Sequence, residues 1–222
     1  MTGLLRGGMS GIIRRRDANS AWYRAGGAPA PIRAYCPLGA ANYAASLHDF
    51  AEIQDAFEGV TPGFSSATGW IFDGSSKRLR TGAIPANLDY TIIVRFAAVS
   101  GDNRYIFGST NAAVTAAFVI NEGNGGKRMW WRGSTILKNG TAVAAGVQAL
   151  AGRSAYMDGA LIATLTDAGI TPNREFIIGG YGVGAAEGLM VGYWQAGAIY
   201  DTSTGHATWV PAVSAAMAAL TG

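Results

Sequence analysis

RSAYMDGALIATLTDAGITPNREFIIGGYGVGAAEGLMVGYWQAGAIYD, residues 153–201, is the stretch that decides the fold. Tyr156-Met157 runs into Asp158-Gly159, the dipeptide that most favours a two-residue hairpin turn, and residues 160–165 run out again. Pro172-Asn173 breaks the chain before a short apolar strand, Phe176-Ile177-Ile178, which Gly179 and Gly180 end. A loop of small residues follows, and then a long final strand over residues 190–200. Strict alternation puts Met190, Gly192, Trp194, Ala196, Ala198 and Tyr200 on one face of it, and Val191, Tyr193, Gln195, Gly197 and Ile199 on the other. Both faces are mostly apolar, so the strand is predicted to be central and covered on both sides.

The rest of the chain repeats this pattern. Residues 90–96 alternate, with Tyr90, Ile92, Val94 and Phe96 on one side and Thr91, Ile93 and Arg95 on the other. Further short strands are expected at 105–107, 116–121, 128–131, 134–138 and 142–150, separated by Asn-Gly, Gly-Gly or Gly-Ser turns; Asn139-Gly140-Thr141 reads as a hairpin turn. Residues 70–73 read as an aromatic strand, turned by Asp73-Gly74 into a second short strand. Pro211 is placed to open a closing helix, with Val213, Ala216, Met217 and Leu220 on one face. Glycine, 32 of 222 residues and without period, fits many tight turns.

Composition narrows the function classes. Half the residues are hydrophobic (49%) and 14% are charged, enough for a large core and a surface suited to packing against other chains. The single cysteine, Cys36, excludes an internal disulfide and reads as a small buried hydrophobe. No apolar run has membrane-spanning length and no secretory leader is visible, so no membrane contact is expected.

Residues 1–33 differ from the remainder. They hold six arginines against Asp17 alone, a balance of +5, whereas the other eleven cations and thirteen acids give −2. Glycine and proline argue against a helix or core strand there. Leu4, Leu5, Met9, Ile12, Ile13 and Trp22 are too apolar for a tail that only solvates. The segment is therefore expected to be an anchoring arm, with Leu4, Arg6, Ile12, Ile13, Arg14, Arg15, Arg16 and Trp22 meeting a partner protein; one arginine triplet is a weak signal for nucleic acid. Residues 34–222 would form the head. In residues 35–56, Asp49, Glu52 and Asp55 stand three apart, which places three carboxylates near one face of a helix, read as a solvated face.

The hairpin at Ala155-Tyr156-Met157-Asp158-Gly159, the strand Phe176-Ile177-Ile178-Gly179-Gly180 and the segment Ala198-Ile199-Tyr200-Asp201 resemble the C-terminal half of laminin-G-like, concanavalin A-like jelly rolls. The opening Tyr35-Cys36-Pro37-Leu38-Gly39-Ala40-Ala41, then Ala44-Ala45-Ser46, residues 69–75 and Ile93-Val94-Arg95-Phe96 are similar to versions carried by tailed bacteriophages. The resemblance covers residues 34–222 and implies an all-β antiparallel jelly-roll sandwich with a short C-terminal helix. It also implies a virion component of tail, fibre or capsid-decoration type, made in the host cytoplasm, forming homo-oligomers and joining other virion proteins through the arm.

Chemistry is sparse. Glycoside hydrolysis needs two carboxylates about 5–5.5 Å apart when the reaction retains configuration. Glucanases of this fold carry a Glu-x-Asp-x-x-Glu strand, and no such string occurs here. The two histidines, His48 and His206, accompany no Gly-x-Ser-x-Gly elbow. Gly180-Tyr181-Gly182-Val183-Gly184 lacks the third glycine and the following helix of a dinucleotide loop. The resemblance suggests calcium at Asp102, Asp158 or Asp201, but none sits in a ligand motif, and no cofactor is expected. What remains is a carbohydrate platform, with Trp130, Trp131, Tyr181 and Trp194 as candidate flat faces against which core packing competes. The expected function is thus non-enzymatic contact with proteins or host-surface glycan. The alternatives are a bacterial lectin-like protein or a divergent glycoside hydrolase.

Overall fold

The computed structural model describes residues 21–166, 169–181 and 189–222. In chain order its strands are β1 (Arg33–Tyr35), β2 (Phe57–Val60), β3 (Gly63–Ser65), β4 (Gly69–Asp73), β5 (Arg78–Arg80), β6 (Thr91–Ala97), β7 (Arg104–Thr110), β8 (Ala117–Glu122), β9 (Lys127–Gly133), β10 (Thr135–Thr141), β11 (Gly146–Ala151), β12 (Ser154–Met157), β13 (Ala160–Thr164), β14 (Ile177–Ile178) and β15 (Val191–Tyr200). A short helix α1 (Tyr43–Ser46) precedes β2, and α2 (His206–Ala218) ends the chain. Among the described residues the strands form two antiparallel sheets. The first runs β13-β12-β11-β6-β15-β4-β3, with β1 also on β15; the second runs β10-β9-β8-β7-β14-β5-β2. The sheets do not close into a barrel, and the all-β sandwich expected from the sequence is present.

Alternation along each strand divides the apolar residues between layers. Trp70, Ile92, Val94, Phe96, Leu150 and Trp194 of the first sheet meet Leu79, Phe107, Phe118, Ile120, Trp130 and Ile178 of the second in the central core. The opposite face of the first sheet, with Ile93, Ala149, Ala198 and Tyr200, is covered by Trp209, Val213 and Met217 of α2 and by Trp22. Strand β15 is therefore central and buried on both faces, as its composition demands. Full burial of one such large apolar side chain contributes about 1.5–3 kcal/mol.

Several local expectations are corrected. Strict alternation fails in β15, where a bulge lies between Trp194 and Ala196. Trp194 and Ile199 face the core, while Ala196, Ala198 and Tyr200 face α2, because the extra residue, Gln195, reverses the alternation beyond it. Gly69 packs directly against the bulge; a Cβ there would fall 2.4 Å from the Trp194 carbonyl oxygen. Strands β4 and β5 are not a hairpin, since β4 pairs with β3 and β15 while β5 pairs with β2 and β14. Asn139-Gly140-Thr141 lies inside β10 as an irregularity opposite β9, with Gly140 at φ 62°, instead of turning the chain. Helix α2 starts at His206, so Pro211 lies within it. The Asp158-Gly159 turn is as read, both residues having positive φ (49° and 80°) between β12 and β13.

The boundary expected at residue 33 falls inside the head. Trp22–Gly27 forms a 3₁₀ turn, Trp22 is 3% exposed, Ile32 N–H donates to the Ile199 carbonyl (2.8 Å) and Arg33 pairs within the first sheet. Trp22 thus anchors the head to itself: its indole is buried beside α2, where a partner cannot reach it. Leu4, Arg6, Ile12, Ile13, Arg14, Arg15 and Arg16 lie outside the described residues.

Candidate functional site

The outer face of the second sheet carries an apolar cluster separate from the core. Strand registers align Ile136, Trp131, Val119, Gly108, Ile177, Arg80 and Phe57 in one row across the sheet. A second row holds Lys138, Met129, Asn121 and Tyr105. Tyr105, Ala117, Val119, Met129 and Trp131 pack together, and the half-buried Tyr181 joins them with its ring centroid 4.0 Å from that of Tyr105. Trp131 is 9% exposed and its cross-strand neighbour Ile136 is 48% exposed, so the cluster meets solvent at this edge. At the other end of the row, Arg80 lies over the Phe57 ring at 4.7 Å and pairs with Glu175 at 2.5 Å.

Among the described residues, three polar atoms of this face are buried without a hydrogen-bond partner: the Trp131 indole Nε1, Asn121 Oδ1 and Thr110 Oγ1. By register they surround Val119, with Trp131 beside it, Asn121 two residues along β8, and Thr110 opposite Ala117. A buried orphan polar group costs about 1–3 kcal/mol.

The structure separates the four aromatic candidates. Trp131 and Tyr181 share this face. Trp130 and Trp194 do not belong to it: both are fully buried in the core, Trp130 donating its indole N–H to the Ala149 carbonyl (3.0 Å) and Trp194 stacking on Trp70 at 5.1 Å. The reason is alternation, which turns Trp130 inward wherever Trp131 turns outward. The alignment of Asn121 and Thr110 with Trp131 has no local signal, since it depends on pairing between distant strands.

The carboxylates have structural duties. Asp49 is not on a helix; fully buried, it accepts from the backbone N–H groups of Ala34, Ala51 and Gln54 at 2.8, 2.9 and 3.1 Å and ties β1 to the following loop. Asp55 accepts from the Asp49 N–H (2.9 Å), and the exposed His48 lies 3.3 Å from it. Asp102 accepts from Gly125 N–H (2.8 Å), and Asp158 from Val147 N–H (2.8 Å). Ser75 hydroxyl and N–H hold Asp73 down to about 2. His206 opens α2 with Nδ1 2.7 Å from the Tyr156 hydroxyl and Nε2 3.4 Å from Ser154 Oγ, and burial lowers its pKa. These contacts pin the helix to β12. Burial pushes the Cys36 thiol up to about 12, which leaves it protonated and unreactive. No described helix is long and apolar enough to cross a membrane.

No family model matches the chain, and no curated protein matches it. Solved structures share its fold. A mutant of Trypanosoma rangeli sialidase displaying trans-sialidase activity aligns with a TM-score of 0.58 at 14% identity, over 85% of this chain and 33% of that one. The same sialidase in complex with sialic acid aligns at 0.56 and 14% identity, over 78% and 31%. Domain 4 of AbnA, a GH43 extracellular arabinanase from Geobacillus stearothermophilus in complex with arabinotriose, aligns at 0.56 and 13% identity, over 84% of this chain and 98% of that domain. The chain thus spans about a third of the sialidases and nearly all of the arabinanase domain.

Proposed function

We propose that the chain is a non-catalytic β-sandwich module that contacts glycan through the outer face of its second sheet. The observation that carries this reading is the gathering, on one outer sheet face, of the Trp131, Tyr105 and half-buried Tyr181 rings beside the exposed Ile136. Sugars present apolar C–H faces to aromatic rings and hydroxyls that both donate and accept. The arabinanase domain supports the reading, because a sandwich of the same extent is itself seen with arabinotriose.

Catalysis is not proposed: Glu175, at the Arg80 end of the row, is spent on Arg80 and on the Gly82 N–H (3.0 Å). The virion setting rests on the sequence motifs alone. In that setting the head is the glycan- or protein-contacting part, homo-oligomers multiply weak contacts, and the chain preceding residue 21 joins sister subunits or other virion proteins.

The test is a densely printed glycan array probed with the full chain and with Trp131→Ala and Tyr181→Ala. Retention on a restricted set of polysaccharides, diminished in both variants, is the expected result. Uniform absence of binding at high valency, or binding indifferent to both substitutions, would reject the reading.

A further inference from the structure

We propose a second ligand site on the opposite sheet: a cleft in which Arg95, Gln195 and Asp158 hold one sugar ring or short polyol by adjacent hydroxyl groups. It shares no residue with the face around Trp131 and stands or falls independently of it. The cleft has a volume of about 330 Å³, within the small-molecule range of roughly 300–1,000 Å³, and lies where β6, β11 and β15 meet the end of α2 at Ala218.

Each of the three side chains has spare hydrogen-bonding capacity there. Arg95 Nη1 donates to the carbonyls of Met217 and Leu220, 2.7 Å each, which fixes the guanidinium plane against the helix end. Its Nε and Nη2 hydrogens have no acceptor among the described residues. Asp158 Oδ1 accepts from Val147 N–H at 2.8 Å, leaving Oδ2 unspent among the described residues. Gln195 is 8% exposed and lines the cleft with its amide unpaired among the described residues. It is there because of the bulge, which inserts it as the extra residue of β15. Gly146 completes the site: a Cβ at its φ of 157° would fall 2.2 Å from Met157 Cε and 3.1 Å from Asp158 Oδ1.

The arrangement selects the ligand class. Arg95 and Asp158 form no ion pair within 4 Å, so a cationic donor and an anionic acceptor stand apart across one cavity. An anionic ligand would be repelled by Asp158 and a cationic one by Arg95. Neighbouring hydroxyls incur neither penalty, since one accepts from Arg95 while the other donates to Asp158, and the Gln195 amide serves either. Sites on opposite faces would make the molecule bivalent toward a polysaccharide.

The test is a titration of the ¹⁵N-labelled full chain with L-arabinose and D-galactose, with tetrahydropyran as the ring without hydroxyls. At least one sugar is expected to shift the Val147 amide, the Gln195 side-chain NH₂ and the Arg95 Nε–H signals, with millimolar affinity, while tetrahydropyran does not. Asp158→Asn keeps the acceptor for Val147 and the turn-compatible side chain, and Gln195→Ala removes an amide that holds nothing else. Both should weaken binding about tenfold or more. Trp131→Ala should leave these shifts unchanged, which separates failure here from failure of the outer-face reading. Absence of shifts with both sugars, equal shifts with tetrahydropyran, or full affinity in both Asp158→Asn and Gln195→Ala would overturn the site.

Discussion

Glu122 shows how a single residue sets a measurable property. It ends β8 1% exposed, with Oε2 accepting from Val143 N–H (3.0 Å) and Oε1 without a partner among the described residues. Burial raises its pKa from 4.5 to about 7, against the opposing pull of the Val143 N–H and Arg128. The folded state therefore binds this proton more tightly than the unfolded state. The stability it supports is fully present below about pH 4.5 and is lost as pH rises through about 7. Glu122→Gln, neutral at every pH, should gain on the native protein by roughly 3 kcal/mol between about pH 5 and pH 8 in denaturant unfolding. Parallel pH profiles would refute the assignment. His206 acts at the other end of the scale: its pKa is depressed, so its contribution is present above the ordinary histidine value and lost as pH falls through the folded one. Residue identity was less legible where neighbours diverge. That one of Trp130 and Trp131 faces the core follows from alternation, but which one does is decided by β8 and β10 on either side. Arg95, the lone charge in an apolar strand, was the visible signal for the cleft.

At the scale of elements, local chemistry was readable and cross-strand chemistry was not. The Asp158-Gly159 hairpin and the alternation of β6 are written within a few residues and occur as read. The bulge in β15 depends on Gly69, over a hundred residues away, and on Leu38, whose N–H donates to the Gln195 carbonyl (3.4 Å). Because Gln195 is the extra residue, deleting it should leave Trp194 and Ala196 on their present faces and preserve a cooperative fold. Deleting Gly197 should instead turn Ala198 and Tyr200 into the wrong layers and abolish cooperative unfolding. The 3₁₀ turn yields a further prediction. A chain beginning at Ala34 loses the Trp22 side chain and the Tyr200 hydroxyl's bond to the Tyr23 carbonyl (2.7 Å), and should unfold less stably than one beginning at Ala21. Trp22→Ala alone should cost about 3–5 kcal/mol, measured by denaturant unfolding. Equal stability of the Ala21 and Ala34 chains would return the domain boundary to residue 33.

For the whole molecule, the two sheets have unequal outer faces. The first is largely roofed by α2 and the 3₁₀ turn, leaving a polar cleft at the helix end; the second carries aromatic and orphan polar groups beneath a partly exposed edge. The sandwich itself was legible because its strands are short, regularly spaced and punctuated by turn residues. Its outer faces were not, since they are assembled from strands distant in sequence. The most direct test of glycan contact is electrophoresis of the native chain and Trp131→Ala through gels containing arabinan or another soluble polysaccharide. A single aromatic contact contributes roughly 0.5–1.5 kcal/mol, so losing it should cut retardation severalfold. The native chain should be retarded in at least one polysaccharide gel, with Trp131→Ala migrating closer to its position in plain gel. Equal retardation of the two proteins, or free migration of both in every gel, would contradict glycan contact at this face.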